Sequence, residues 1–310
     1  MHAVLNAALP IFALILTGFL CGRFEVFTRS ATDGLNRFAI YLALPALMFL
    51  TMSRITPEQA GQAGFSLAFG GGIAVTFAAG FALSRWRGRR VANASIEGLD
   101  AGYSNVGFMG IPLCLLVFGP GSLPAAVIAT LFTACVLFLC AIVLIEVDLH
   151  RNASLGRAVR KIVLSLLRNP LLLAPLAGLG IGLNGLALPA PVEHFASLLG
   201  GAASPCALVC IGLFLAQERV ATHDVSSIGL LVGLKLVFQP AVTAFLALYV
   251  FEMPVLWAHS AVLLSALPIG SGPFAIAKLY GLDAGVTSGA ILVSHIVSIV
   301  TVSILVAWFG

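Results

Sequence analysis

The sequence predicts an all-α integral membrane protein of ten transmembrane helices, arranged as two inverted five-helix repeats with broken crossover helices 4 and 9. Three observations carry this expectation. Of 310 residues, 60% are hydrophobic and 9% charged, with a mean hydropathy of +1.08; a soluble domain carries roughly 25% charged residues. The few charges cluster, leaving ten apolar stretches of about 20 residues, enough to cross roughly 30 Å of hydrocarbon as helix. Finally, Pro10, Gly18, Gly22 and Pro45 recur as Pro170, Gly178, Gly182 and Pro205, each 160 residues later, and Asp33 and Gly121 are echoed by Glu193 and Gly281 in the same register. With 32 Gly and 15 Pro in the chain any single match is cheap, but a run of matches in one register is not.

The apolar stretches fall at 4–22, 35–53, 63–84, 101–118, 124–146, 168–184, 195–215, 228–250, 257–279 and 285–308. The first has no Lys or Arg before it and Arg23 and Arg29 after it, the reverse of a secretory leader, so it reads as an uncleaved helix. Residues 1–150 form the first repeat and 165–310 the second, joined by a basic hinge at 147–167. Of 16 Lys and Arg, those near 23–37, 85–90 and 151–168, with Arg219 and Lys278, fall on one side, against Arg54 alone on the other. That bias marks the cytoplasmic face and places both termini outside an inner (plasma) membrane. An odd number of helices per repeat turns the second copy upside down, the arrangement that lets a site open to alternate sides. A secondary transporter is the expectation.

Segment four reads Tyr103-Ser-Asn-Val-Gly-Phe-Met-Gly-Ile-Pro112 and segment nine Leu267-Pro-Ile-Gly-Ser-Gly-Pro273. Proline removes a donor and clashes with the turn before it, and glycine permits non-helical backbone, so both segments should unwind. Unwound backbone inside a bilayer is tolerated only where protein buries it or water reaches it. Two such breaks would cross near the midplane and expose half-helix N-termini, a seat for a carboxylate. The expected substrate-binding residues are Asn105, Gly107, Gly110, Pro112, Pro268, Gly270, Ser271 and Pro273, with Lys235 assisting.

The stretch Asn105-Val-Gly-Phe-Met-Gly-Ile-Pro112, the break at 268–273 followed by Ala277-Lys-Leu-Tyr-Gly281, and the ten-helix plan resemble the auxin efflux carrier family along essentially the whole chain. Its bacterial members include malonate-type transporters, and the bile acid–sodium symporters share the architecture more distantly. The resemblance implies a scaffold of helices 1, 2, 6 and 7 and a core of helices 3–5 and 8–10 that moves like an elevator. It also implies substrate at the crossover. The chain departs from that pattern in places. Auxin carriers typically place Asn at both breaks, whereas the second break here offers Ser271; the acidic residue and Gln that bile acid symporters carry for sodium are missing from 257–279. Ser104, Thr130, Thr133 and His295 are the candidates for ion coupling, by sodium or by proton.

Other residues were weighed against plainer roles. Lys235 either draws the anion or snorkels to the interface, and His295 either relays protons or packs. No Asp or Glu is expected mid-membrane, with Glu146 and Asp283 at helix ends. Cys206 and Cys210 share a helix face without a His or carboxylate at ligand spacing, so no metal or cofactor is implied. Ser271 between two glycines with His295 beyond could imitate a membrane serine protease, but Ile269 stands where that pattern wants Gly. The pairs Gly18/Gly22 and Gly178/Gly182 permit close helix packing, within the chain or in a homodimer of scaffold helices. The expected partners are a small organic anion and the lipid bilayer, with no nucleic acid; a sodium-coupled symporter and an anion channel are the alternatives on the same architecture.

Overall fold

The computed structural model describes residues 2–149, 168–217 and 224–309, with side chains from residue 9 onward. Arg151, Arg157, Arg160, Lys161 and Arg219, and most of the expected hinge, lie outside those residues. The described chain is helical: α1 His2–Arg23, α2 Arg29–Ser53, α3 Pro57–Trp86, α4 Val91–Gly102, α5 Val106–Phe118, α6 Pro120–Leu149, α7 Pro170–Leu183, α8 Ala190–Gln217, α9 Val225–Val250, α10 Val255–Ser265, α11 Gly272–Leu279 and α12 Gly285–Phe309. Among the described residues six helices (α2, α3, α6, α8, α9 and α12) are long and apolar enough to cross a membrane, and α5, α7, α10 and the Leu9–Arg23 part of α1 are shorter and apolar. Exposed Ile296, Val300 and Ile304 follow one face of α12, the stripe a helix presents to lipid.

Two helix pairs form the closest packing. A Cβ added to Gly18 on α1 would collide with the Val209 carbonyl of α8, and one on Gly178 of α7 with the Phe49 carbonyl of α2. These are the same contact twice, since Val209 lies 160 residues after Phe49 as Gly178 does after Gly18. One turn on, Gly22 lies against the Ala216 Cβ and Gly182 against the Met52 carbonyl. The glycine faces are therefore filled from within the chain, not left for a second copy.

Three helices carry a wide turn with i→i+5 hydrogen bonding immediately before a proline. Leu44, Ile111 and Gln239 donate their N–H to Ala39, Val106 and Leu234, and Pro45, Pro112 and Pro240 follow. A proline ring clashes with the carbonyl four residues back, and widening the turn relieves the clash without ending the helix.

The fourth apolar segment starts earlier than its hydropathy suggests. Glu97 and Asp100 lower the apolar score of 91–100, yet α4 is buried from Ala94 through Gly102. Small residues make this possible. Gly80 of α3 lies so close that a Cβ there would sit 2.7 Å from the Ala101 Cβ. Asp100, which the apolar stretch 101–118 leaves out, has no exposed surface.

Candidate functional site

Helical geometry stops at Gly102 and at Ser265, and the two freed segments cross. They pair as a single antiparallel bridge, Ser104 with Ile269. The Asn105 N–H donates to the Pro268 carbonyl at 2.9 Å, and the Gly270 N–H to the Tyr103 carbonyl at 3.1 Å. The Ile269 N–H donates to Ser294 Oγ of α12 at 3.1 Å. Each break thus satisfies the other's backbone, which is what a bilayer interior demands.

Four helix ends meet here, and they are treated unequally. The C-terminal ends of α4 and α10 are both capped by side chains of α9. The Gln239 amide donates to the carbonyl of Gly102, the last residue of α4, at 3.2 Å; the Lys235 ammonium donates to the carbonyl of Ser265, the last residue of α10, at 2.6 Å. Lys235 and Gln239 are one turn apart and fully buried. The N-terminal ends of α5 and α11 have no side-chain cap, like those of α6, α8 and α10, whereas Thr28, Thr56, Asn169 and Asp224 cap α2, α3, α7 and α9. Among the described residues the N–H groups of Gly107, Phe108, Gly272 and Phe274 find no backbone acceptor, as expected of the first turns of helices.

Two cavities flank the crossover on this uncapped side. The larger, about 780 Å³, runs from Asn105, Gly107, Gly270 and Ser271 past Thr130 and Thr133 of α6 out to Glu146, Asn169 and Tyr280. The smaller, about 350 Å³, lies toward α8 and α12 and reaches Gln217 and Lys278. Asn36, Asn105, Phe108, Ser271 and Ala275 belong to both walls. At the outer end of the larger cavity the Tyr280 hydroxyl donates to Glu146 at 2.8 Å, tying α11 to α6.

Asn105 is held from the far side. His295 Nδ1 lies 2.8 Å from the Ile291 carbonyl, which fixes that nitrogen as the donor, so Nε2 accepts from Asn105 Nδ2 at 3.3 Å. Among the described residues no hydrogen bond joins His295 to Ser271. Next to Ser271, Tyr103 stacks on Phe138 with ring centroids 4.8 Å apart, and a Cβ on Gly270 would come within 2.6 Å of the Tyr103 ring. The aromatic pair therefore depends on glycine at this break.

Of the expected site residues, Asn105, Gly107, Gly270 and Ser271 line the cavities, as do Ser104, Thr130, Thr133 and His295. Gly110, Pro112, Pro268, Pro273 and Lys235 line neither. Gly110 packs under Leu264 and Leu267, Pro112 is buried just after the wide turn of α5 and Pro273 in the first turn of α11, and the Pro268 carbonyl is spent on Asn105. Lys235 neither touches the cavities nor snorkels; it serves the crossover from behind. The Thr130 and Thr133 hydroxyls donate to Ala126 and Ala129 carbonyls at 2.8 and 3.0 Å, leaving only lone pairs for a ligand. Missed from the sequence were Asn36, Tyr103, Phe138, Gln239 and Asp100. Gln239 carried a signal, since a polar residue four positions after an intramembrane lysine shares its helix face.

A family model described as membrane transport protein matches residues 3–306. The chain belongs to that family. Within it, a Rhizobium meliloti (strain 1021) protein named "Putative malonate transporter" is 33% identical over 98% of this chain and 95% of its own length. A Methanothermobacter thermautotrophicus protein named "Uncharacterized transporter" is 26% identical over 96% of this chain and 95% of its own. The uncharacterized transporter YfdV of Escherichia coli (strain K12) is 25% identical over 68% of each. The family is the auxin efflux carrier family of the sequence resemblance, and this member is a multi-pass membrane transporter by family and by its apolar helices.

Proposed function

We propose that the protein is a secondary transporter of small organic anions, carboxylates foremost, which bind at the crossover. One observation carries this reading. Where four helix ends meet, the negative C-terminal ends of α4 and α10 are capped by Gln239 and Lys235, while the positive N-terminal ends of α5 and α11 open uncapped onto the cavities. A helix N-terminus carries roughly half a positive charge, and two of them beside Asn105 and Ser271 favour an anion of a size that 780 Å³ accommodates. The name of the Rhizobium relative supports a malonate-like acid.

Alternating access follows from two inverted repeats, 1–150 and 165–310. The 160-residue register shared by the Gly18–Val209 and Gly178–Phe49 contacts supports that division. The α1–α8 and α7–α2 pairs, locked backbone to backbone, suit a static scaffold. The crossover with α3, α6, α9 and α12 suits a core that moves past it like an elevator. Both cavities extend toward the basic end of the molecule, so with the termini outside an inner membrane this conformation faces the cytoplasm. Any homodimer would use the outer faces of the scaffold helices. The test is uptake by the purified protein in liposomes, with a panel of mono- and dicarboxylates. Saturable flux for one acid supports a carrier; flux linear in concentration indicates a channel, and no flux for any acid refutes the anion reading.

A further inference from the structure

Where α4 ends at the crossover, its last turn holds a carboxylate that none of the preceding roles uses. Asp100 is completely buried, and among the described residues its one hydrogen-bond donor is Thr287 Oγ1 of α12, at 2.8 Å from Oδ2, while its Oδ1 has no partner among them. Two more buried oxygens around the same turn are also unpartnered: Ser104 Oγ, two residues beyond Gly102, and Oε1 of Gln239, whose amide nitrogen bonds the Gly102 carbonyl. All three can accept, and the Asp100 and Gln239 oxygens can only accept. Three orphaned acceptors, one of them a carboxylate at the negative end of a helix, call for something positive.

The neighbouring charges do not supply it. Lys235 on α9 has its ammonium on the Ser265 carbonyl, and among the described residues no ion pair joins it to Asp100. Glu97, one turn earlier on α4, lies 3.8 Å from Arg89. On α12, His295 bonds Ile291 and Asn105. Glu146 of α6 accepts from Tyr280, Asp148 of α6 accepts from the Ala92 N–H at the opposite end of α4, and Lys278 of α11 lies over the Phe274 ring. We propose that Asp100, Ser104 and Gln239 form a binding site for a monovalent cation, a proton or Na⁺, that crosses together with the anion. As a proton, the cation makes Asp100 a donor to the Gln239 carbonyl oxygen; as Na⁺, it takes all three oxygens. The two ligands then sit on opposite ends of the same broken helices, the anion at the positive ends and the cation at the negative ones. A monocarboxylate moves with its cation without net charge.

This inference rests on the transporter reading for its coupling but not for its binding, and two measurements separate them. In proteoliposomes loaded with buffer, uptake of radiolabelled malonate is followed under an inward Na⁺ gradient at equal pH, and under an inward proton gradient without Na⁺. One gradient should drive accumulation at least several-fold above the no-gradient level. Asp100→Asn should lose that accumulation, while Asp283→Asn, at the start of α12, keeps it. In detergent, thermal unfolding of the wild type is compared in NaCl and choline chloride and across a pH series. The cation that drives uptake should raise the midpoint in the wild type and not in Asp100→Asn. Accumulation that survives Asp100→Asn, or malonate uptake indifferent to both gradients, overturns the proposal. So does a cation-dependent midpoint unchanged by the substitution. Stabilisation dependent on Asp100 without malonate uptake keeps the cation site and removes malonate as the anion.

Discussion

On the proposed repeat, helices α3 and α9 correspond to each other, and they treat the broken helices in different ways. The residues 160 positions before Lys235 and Gln239 are Val75 and Ala79. Beside them, α3 presses Gly80 against Ala101 of α4 and keeps the Thr76 hydroxyl on its own Gly72 carbonyl at 2.7 Å. It is a packing wall. Helix α9 instead sends a cation and an amide across to the ends of α10 and α4. If the proposed repeat holds, one copy supplies shape and the other electrostatics, and the crossover acquires a polarity that symmetry alone would not give it.

The largest effect should appear on the open face of the crossover. Asn105→Ala removes the one side chain shared by both cavities and bonded to His295. Saturable uptake should fall about 100-fold in kcat/KM, about 2.7 kcal/mol, with membrane insertion and unfolding temperature close to the wild type. Loss of expression instead would show that Asn105 braces the crossover and does not contact the anion. Gly80→Ala probes the packing wall. Its Cβ would meet the Ala101 Cβ at 2.7 Å and the Glu97 carbonyl at 3.1 Å, an overpacking that costs about 1–3 kcal/mol. A lowered thermal midpoint with unchanged KM is expected; a raised KM with unchanged stability would give α3 an electrostatic role it lacks by this reading. Lys235→Met should do the reverse, weakening apparent anion affinity about tenfold, since the Ser265 carbonyl loses its buried donor, a loss of about 1–3 kcal/mol. Lys235→Arg should restore part of it. Equal KM in wild type and Lys235→Met would dissolve the contrast between the two helices.

The sequence showed the breaks because Gly and Pro act locally. Pro268 and Gly270 stand in the second break and Pro112 just past the wide turn that follows the first, and the 160-residue register of Gly18 and Gly178 already marked the two tight pairs. Hidden were the roles set by partners far along the chain. Lys235 read either as an aid to anion binding or as a snorkelling cation; only the fold places it 2.6 Å from a carbonyl thirty residues on. Asp100 was missed for another reason. Its charge, with that of Glu97, lowered the hydropathy of the half-helix that buries it, and small neighbours such as Gly80 compensate in three dimensions without leaving a trace in a hydropathy window.

The smallest effect lies at the membrane surface, where α9 begins. Asp224 Oδ1 accepts from the Ser227 N–H at 3.1 Å, and Oδ2 accepts from the Ser227 hydroxyl at 2.8 Å and from Arg89 at 3.0 Å. These bonds, the Ser227 N–H first, hold its carboxyl below the usual aspartate range. A carboxylate whose folded value is depressed stabilises fully above its unfolded value, and the gain disappears as pH falls through the folded one. Asp224→Ala should therefore lower stability by about 1 kcal/mol near neutral pH, the usual cost of an N-cap. The difference from wild type should narrow as the medium is acidified below about pH 4. Because this cap holds α9 and not the crossover itself, KM should stay put. A rise in KM with Asp224→Ala would mean that the position of α9, and through it of Lys235 and Gln239, is set from the surface, and that the caps move when the end of their helix does.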